Sequence, residues 1–351
     1  MILSDSAKKR YNAFWECDAY KRCCLSLWVT KDAGIPESKD TKDITREWED
    51  SVHRISLFNQ LLERTELFAD GIYCFFVNFG PGCLSAMIGG TYKWSEETVW
   101  FENEQVITDW ENPPGPILHK ESPMYRLSEK LTEAALNAGK GKFLTSVTDI
   151  GGIYDIIAAL RGTQTLLLDL YEYPEEIKAY AKELRRVWME YFHEQAFRLI
   201  SQQGGMVSWM PIWSDKPYYP LQCDFSAMIS PDMFEEFILP DLRYQTENMP
   251  RSIYHLDGPG EIPHLKLLLS LPRLNAIQWS PGAGQANVGD ECWFGLYEEI
   301  QAAGKGLVLF DVKLEQMENL LKHISPKGLF ISAGAKDSMQ AAEYIRIAGS
   351  V

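Results

Sequence analysis

The chain has 351 residues, 46% of them hydrophobic, with 49 acidic against 34 basic residues and a formal net charge of −15. That composition supports a substantial core and excludes disorder, and the negative balance without a basic block argues against nucleic acid or an anionic membrane surface as partner. The seven cysteines are odd in number and contain no Cys-x-x-Cys, the N-terminus lacks a signal-peptide stretch, and no apolar run reaches ~18 residues, so the expectation is a cytoplasmic protein with reduced thiols and no membrane span.

Short apolar runs alternate with long amphipathic stretches. The first strand signal is Cys24–Val29, followed by Trp48, Val52, Ile55, Phe58 and Leu62 at helical spacing. Ile72–Asn78 reads as the second strand. From Gly80 to Lys142 the interval is long, with an extra strand at Thr98–Phe101 and a loop at Asn112–Pro116. This reads as an insertion over one mouth of the fold, either a lid or an excursion with no role. Phe143–Thr148 is the third strand. Pro174-Glu175-Glu176 then opens a helix with proline in its first turn, continued by Ile177, Ala181, Leu184, Trp188, Tyr191 and Phe192 and stopped by Gly204-Gly205. Gly205–Met210 reads as the fourth strand, and Ser230 as the cap of the helix after it. Ser252–Leu256, Ala276–Trp279, Leu307–Phe310 and Leu329–Ser332 complete the strands, and Asp337-Ser338 starts the last helix. Strands alternating with helices predict an α/β fold, a (β/α)₈ TIM barrel of one domain over residues 1–351 with residues 80–142 inserted between the second and third strands.

In such a barrel chemistry gathers at the C-terminal strand ends. The strongest candidate is Tyr254-His255-Leu256-Asp257-Gly258-Pro259-Gly260. Side chains alternate along a strand, so His255 and Asp257 point the same way and suit either metal ligation or a proton-transfer pair. The plainer alternative is that Asp257 orients a structural histidine. Cys223 and Asp224 follow the fourth strand and are candidates for a further ligand or proton acceptor, against the ordinary roles of packing and helix capping. Trp209, Trp213 and Trp279, with Tyr254 and Gln278, are candidates to line a π-rich substrate pocket suited to a methylated group, an ammonium or a sugar face; ordinary core is the competing reading. The Gly-x-Gly of Pro281-Gly282-Ala283-Gly284 lacks the rest of a dinucleotide fingerprint and reads as a turn.

These segments resemble the uroporphyrinogen decarboxylase superfamily, which includes the methylcobamide-dependent (corrinoid) methyltransferases. The resemblance runs over most of the chain and is clearest in Leu160-Arg161-Gly162 to Tyr173-Pro174-Glu175, Asp224-Phe225-Ser226 to Pro240, and His255-Leu256-Asp257-Gly258. A bacterial branch often labelled trimethylamine corrinoid proteins carries similar His-Leu-Asp-Gly-Pro-Gly and Ile-Gln-Trp-x-Pro-Gly strings. The resemblance implies a (β/α)₈ barrel. Two departures qualify the activity. The decarboxylases hold substrate carboxylates with an arginine-containing segment after the first strand, whereas Trp28-Val29-Thr30-Lys31-Asp32-Ala33-Gly34 has no arginine, which disfavours porphyrinogen decarboxylation. The thiol methyltransferases hold zinc with His-x-Cys and a later cysteine, whereas this chain has His255 and Asp257, with Ala335 at the later position.

The resemblance therefore implies a corrinoid-linked methyltransferase moving a methyl group from a small methylated substrate to a corrinoid protein partner. His255, Asp257 and Cys223 are the expected zinc ligands, and His255, Asp257 and Asp224 the expected catalytic groups. The alternatives are a metal-free lyase or decarboxylase using His255 and Asp257 for acid–base work, and a non-catalytic binding barrel. A homodimer is compatible with the sequence, which does not identify the oligomeric state.

Overall fold

The structure, a computed structural model, describes residues 3–31, 43–101 and 105–350. Residues 32–34 of the arginine-free stretch and residues 102–104 of the expected insertion lie outside the described residues. The strands are β1 (Cys24–Thr30), β2 (Thr65–Ala69), β3 (Cys74–Phe75), β4 (Lys93–Trp94), β5 (Val99–Trp100), β6 (Leu144–Thr145), β7 (Tyr218–Leu221), β8 (Arg251–Asp257), β9 (Ala276–Ser280), β10 (Gly306–Phe310) and β11 (Leu329–Gly334). A seven-stranded sheet runs β2-β1-β11-β10-β9-β8-β7, and β3 pairs with β6 in a separate sheet. Every pairing in the large sheet is parallel except β1 with β2. Leu307-Val308-Leu309 and Leu329-Phe330-Ile331 are buried throughout, as parallel strands covered on both faces require.

Two strands differ from the expectation. Of the Gly205–Met210 run, Met206 and Val207 make isolated bridges, Met206 to Ser214 and Val207 in parallel to Ser146. The longer ladder beside β8 is formed by β7, whose Pro220 reads against a strand. Proline is tolerated there because β7 is an edge of the seven-stranded sheet, paired with β8 alone within it. The antiparallel β2 was also not expected. It leaves a helix with no intervening turn residue and is only half-buried, so it carries no apolar run.

The helix from Pro174 to Gln203 spans 30 residues and buries Ile177, Ala181, Leu184, Trp188, Tyr191 and Phe192. Gly204 ends it with φ 72°, a left-handed conformation that glycine adopts without strain. Ser230 accepts from the Met233 amide at 3.2 Å and Asp337 from the Gln340 amide at 2.8 Å, each capping its helix. The Trp48–Leu62 periodicity belongs to two helices, Ile44–Glu49 and Ser51–Arg64. Asp50 divides them: its carboxylate takes the Val52 and His53 amides at 2.9 and 3.0 Å, which starts a new helix rather than extending the old one.

Residues 80–142 are not one excursion. Their first part holds the β4–β5 hairpin, with Trp94 stacked on Trp48 at 5.5 Å, and their last part is the helix Pro123–Gly139, which packs on the Ser51–Arg64 helix and on β6. Between them, the Arg161 guanidinium donates to the carbonyls of Ile107 and Thr108 at 2.9 and 2.6 Å and pairs with Asp169 at 2.5 Å; Trp110 donates to the same carboxylate at 2.8 Å. Among the described residues no helix is long and apolar enough to cross a membrane.

Beneath β1 and β2, Asp70 is fully buried and pairs with Arg10 at 2.6 Å and Arg22 at 2.7 Å while accepting the Leu25 amide at 3.0 Å. Removing one partner of such a network strands the other charges without a counterion. Asp70→Ala is expected to destabilise the protein by about 3–5 kcal/mol. Chemical denaturation of the variant against wild type measures it, and a loss under about 1 kcal/mol would show that the guanidinium groups find water instead.

Candidate functional site

Four strand ends converge on a cleft in two joined chambers. The inner one, about 250 Å³, lies among Phe76, Asn78, Asp149, Trp209, Asp224 and His255 and opens to the surface. The outer one, about 450 Å³, is walled by Val99, Phe101, Ala158, Ala159, Phe225 and Met228. Pro81, Thr98, Gln222 and Asp224 border both. The polar groups of the inner chamber lie on or just beyond the C-terminal ends of β3, β6, β7 and β8, where fixed strands can hold them against a ligand.

His255 is set by its strand neighbour. His255 and Gln278 are register partners on β8 and β9, and the imidazole Nδ1 is hydrogen-bonded to the Gln278 Oε1. The Gln278 amide nitrogen in turn donates to the Trp279 carbonyl at 2.9 Å, which fixes the amide with its oxygen toward the ring. A neutral His255 therefore carries its proton on Nδ1 and keeps the Nε2 lone pair free. Nε2 stands 4.0 Å from the Asp257 carboxylate, and the Trp209 indole meets the ring edge-to-face at 5.1 Å.

Carboxylates surround this imidazole. Asp149 is buried and accepts the Tyr219 hydroxyl at 2.9 Å and the Gly151 amide at 3.0 Å, both on Oδ1. Burial pushes its pKa up to about 6 in spite of those donors and of nearby His255. Asp155 is pushed to about 7 by burial and by the charge of Asp224, and its Oδ2 is buried with no hydrogen-bond partner. Asp224 is raised by burial, with His255 opposing and Asp257 adding to the shift. Glu261 goes furthest, to about 9, through burial; its bond to the Asp257 amide at 3.2 Å pulls the other way, and Asp224, Asp155 and Asp257 add repulsion. Among the described residues no lysine or arginine lines either chamber.

Backbone geometry lets these groups approach. Gly151 has φ +88°, and a Cβ there would lie 2.5 Å from the Gly82 Cα; a Cβ on Gly152 would lie 2.2 Å from the Gln222 carbonyl oxygen. Only bare glycine admits both contacts, which seat the loop after β6 against the segments after β3 and β7.

The sequence candidates separate accordingly. His255, Asp224 and Trp209 line the inner chamber, Gln278 holds His255, and Asp257 lies beside His255 at its more exposed rim. Trp279 follows Gln278 on its strand, points to the opposite face and packs on Trp293 at 5.0 Å. Trp213 packs on Tyr11 at 6.3 Å and accepts from Trp15 through its carbonyl, against the N-terminal helix. Tyr254 is buried on the face of β8 opposite His255. Cys223 is buried outside the lining of both chambers, and burial and the neighbouring carboxylates hold its thiol well above its ordinary pKa. Asp149, Asp155, Gln222 and Glu261 were not expected. A signal for the first was present: Asp149-Ile150-Gly151-Gly152 places a carboxylate and paired glycines directly after a strand run.

No protein-family model matches the chain, and no curated protein matches it significantly. Among solved structures, a methyltransferase from Methanosarcina mazei is similar, with a TM-score of 0.63 over 99% of each chain at 12% identity. At that identity the likeness shows the fold.

Glu261 makes the site's electrostatics measurable. Its folded-state pKa is raised from 4.5 to about 9, so the native protein keeps a proton that the unfolded chain releases. Stability from this group is full below the unfolded value and is lost as pH rises toward the folded one. The melting temperature of Glu261→Gln minus that of wild type is expected to increase steadily from about pH 5 to about pH 9. A difference that does not change with pH would mean that Glu261 ionises normally.

Proposed function

We propose that this protein is a methyltransferase of the uroporphyrinogen decarboxylase superfamily whose parallel strands form a (β/α)₈ barrel, and that it moves a methyl group from a small methylated substrate to a corrinoid carried by a partner protein. The observation that carries this reading is the cleft at the C-terminal strand ends, where His255, oriented by Gln278, faces carboxyls whose pKa values burial raises. The full-length likeness to the Methanosarcina mazei methyltransferase supports it through the fold.

The corrinoid would supply a nucleophilic cobalt that accepts the methyl group, and this chain has only to present that group at an open mouth. Its own residues handle the leaving heteroatom. As the carbon–heteroatom bond breaks, the electron pair stays on oxygen or nitrogen. For an ether or a neutral amine, Asp224, raised by burial and shared by both chambers, delivers a proton to that atom; a quaternary nitrogen leaves as the neutral amine and needs none, and Asp224 then serves as the anion beside it. His255 takes up a solvent proton on Nε2 through the open mouth and passes it to the Asp224 carboxylate, with Trp209 and Phe76 lining the chamber around it.

Zinc as the thiol methyltransferases hold it does not fit these residues. Asp257 and Ala335 replace the two thiolates, the Cys223 thiol is buried and hard to ionise, and among the described residues no three His, Cys, Asp or Glu side chains converge as a ligand set. No step here runs through a metal. A second reading, a metal-free lyase, is favoured by one observation: Asp149, raised to about 6 near His255, is placed for acid–base work without any methyl acceptor.

Incubation with free cob(I)alamin and a panel of methylated amines and ethers, followed by the absorbance of methylcobalamin, tests the first reading. Turnover is expected on some member of the panel, with a loss of at least about 100-fold in His255→Ala and Asp224→Asn. Uroporphyrinogen, a polyanion, is expected to remain unchanged because no cationic side chain among the described residues lines the cleft. Turnover indifferent to both substitutions, or steady coproporphyrinogen formation, would overturn the reading.

A further inference from the structure

Apart from Asp224, which it shares with the inner one, the outer chamber has no part in the chemistry above, yet it is the larger of the two, about 450 Å³ against about 250 Å³. Its walls are mostly hydrocarbon: Val99 and Phe101 from the segment around β5, Ala158 and Ala159 from the helix Ile153–Arg161, Phe225 and Met228 from the turn after β7. The two alanines leave room where larger side chains would fill it.

At the neck stands Gln222. Its residue is 7% exposed, and its side-chain amide lines both chambers, open to them rather than sealed in the core. Buried polar atoms are normally paired, but the Asp155 Oδ2, which borders the outer chamber beside Asp224, is not. Asp149 repeats the pattern: it is 8% exposed, both its donors fall on Oδ1, and Oδ2 has no partner while the side chain lines the inner chamber. The Trp209 indole N–H is likewise buried and unpaired beside His255. These groups are held open by a rigid frame and are suited to a ligand's polar end.

The charge of the inner chamber selects the sign of that end. Asp149 and Asp224 line it, Asp257 stands beside His255 at its rim, no lysine or arginine among the described residues lines it, and the Trp209 and Phe76 rings add π faces. Cations gain from both, and anions lose.

We infer that the cleft is a bipartite site for a methylated ammonium compound bearing an apolar or aromatic substituent: the cationic head lies in the inner chamber against Asp149, Asp224 and Trp209, Gln222 bonds the junction, and the substituent fills the outer chamber. This assignment rests on the proposed function for its methyl chemistry, but the binding pattern is independent of turnover. Ala159, Ala158 and Met228 then set how large a substituent is accepted.

Calorimetric titration of the intact protein with benzyltrimethylammonium, tetramethylammonium and phenylmethanesulfonate tests it. Benzyltrimethylammonium is expected to bind at least about tenfold more tightly than tetramethylammonium, as burial of a phenyl ring predicts, and the sulfonate not at all. Ala159→Phe should remove that advantage while leaving tetramethylammonium affinity unchanged. Met228→Trp, at an exposed position on the chamber wall where folding is not at stake, should narrow it. Equal affinity for the two cations, an advantage that survives both substitutions, binding of the sulfonate, or binding of neither cation at millimolar concentration would each overturn the inference. If the binding pattern holds and no methylcobalamin forms, the bipartite site stands and the methyltransferase reading falls.

Discussion

Side chains on a strand alternate, and neighbouring parallel strands hold that alternation in register. On β8 and β9 this single constraint sorts the chemistry from the core. His255 lies opposite Gln278, so both turn to the cleft, while Leu256 and Trp279, the next pair in register, turn to the helices. A shift of one residue between these strands would bury the imidazole under Trp293 and bring an indole to the cleft. The identity of the site is therefore inseparable from the pairing of two strands, and the Gln278 amide, tied to both the ring and its own strand, makes that pairing visible at the histidine.

The second organising fact is a collection of acids without counterions. The protein pairs its other buried carboxylates generously: Asp70 takes two arginines, Asp169 takes Arg161, and Asp241 takes Arg185 at 2.9 Å. At the strand ends that economy stops. Asp149 and Asp224 lie near one imidazole, Asp155 and Glu261 lie near Asp224, and burial and mutual repulsion raise the pKa values of all four. Folding gains nothing from such an arrangement, which is why it marks a working surface rather than a core.

Much of this was legible in the residues. The long helix announced itself by Pro174, its apolar stripe and Gly204; the last four parallel strands by short buried runs; His255 and Asp257 by their two-residue spacing before a glycine-rich turn. What stayed hidden depended on partners distant in sequence. Pro220 disguised an edge strand, and nothing local says that a strand will be an edge. Trp213 and Trp279 looked like pocket residues from their position near strand ends, but the face each presents was decided by register and by the N-terminal helix packing on Trp213. Gln222 was invisible because lining two chambers is a property of its surroundings. Asp149 could have been found, since the paired glycines after it are unusual at a strand end.

The Arg161 clamp has a mechanical consequence. Arg161 ends the helix that carries Ala158 and Ala159, and it grips the carbonyls of Ile107 and Thr108; the amides of Val106 and Ile107 also bond to the Leu160 carbonyl. The strand of chain leaving the outer chamber is thus riveted to one of the chamber's own walls. A flap hinged at that end cannot swing, because lifting it would tear a guanidinium from two carbonyls and a carboxylate at once. The β4–β5 hairpin is held on its other side as well, where Trp94 stacks on Trp48 and donates to Glu49, and where Gly80 and Gly82 lie close against Val99 and Gly151. The wall of the outer chamber is thus fastened at both ends, and what passes it is selected by the side chains that line the opening rather than by a swinging cover.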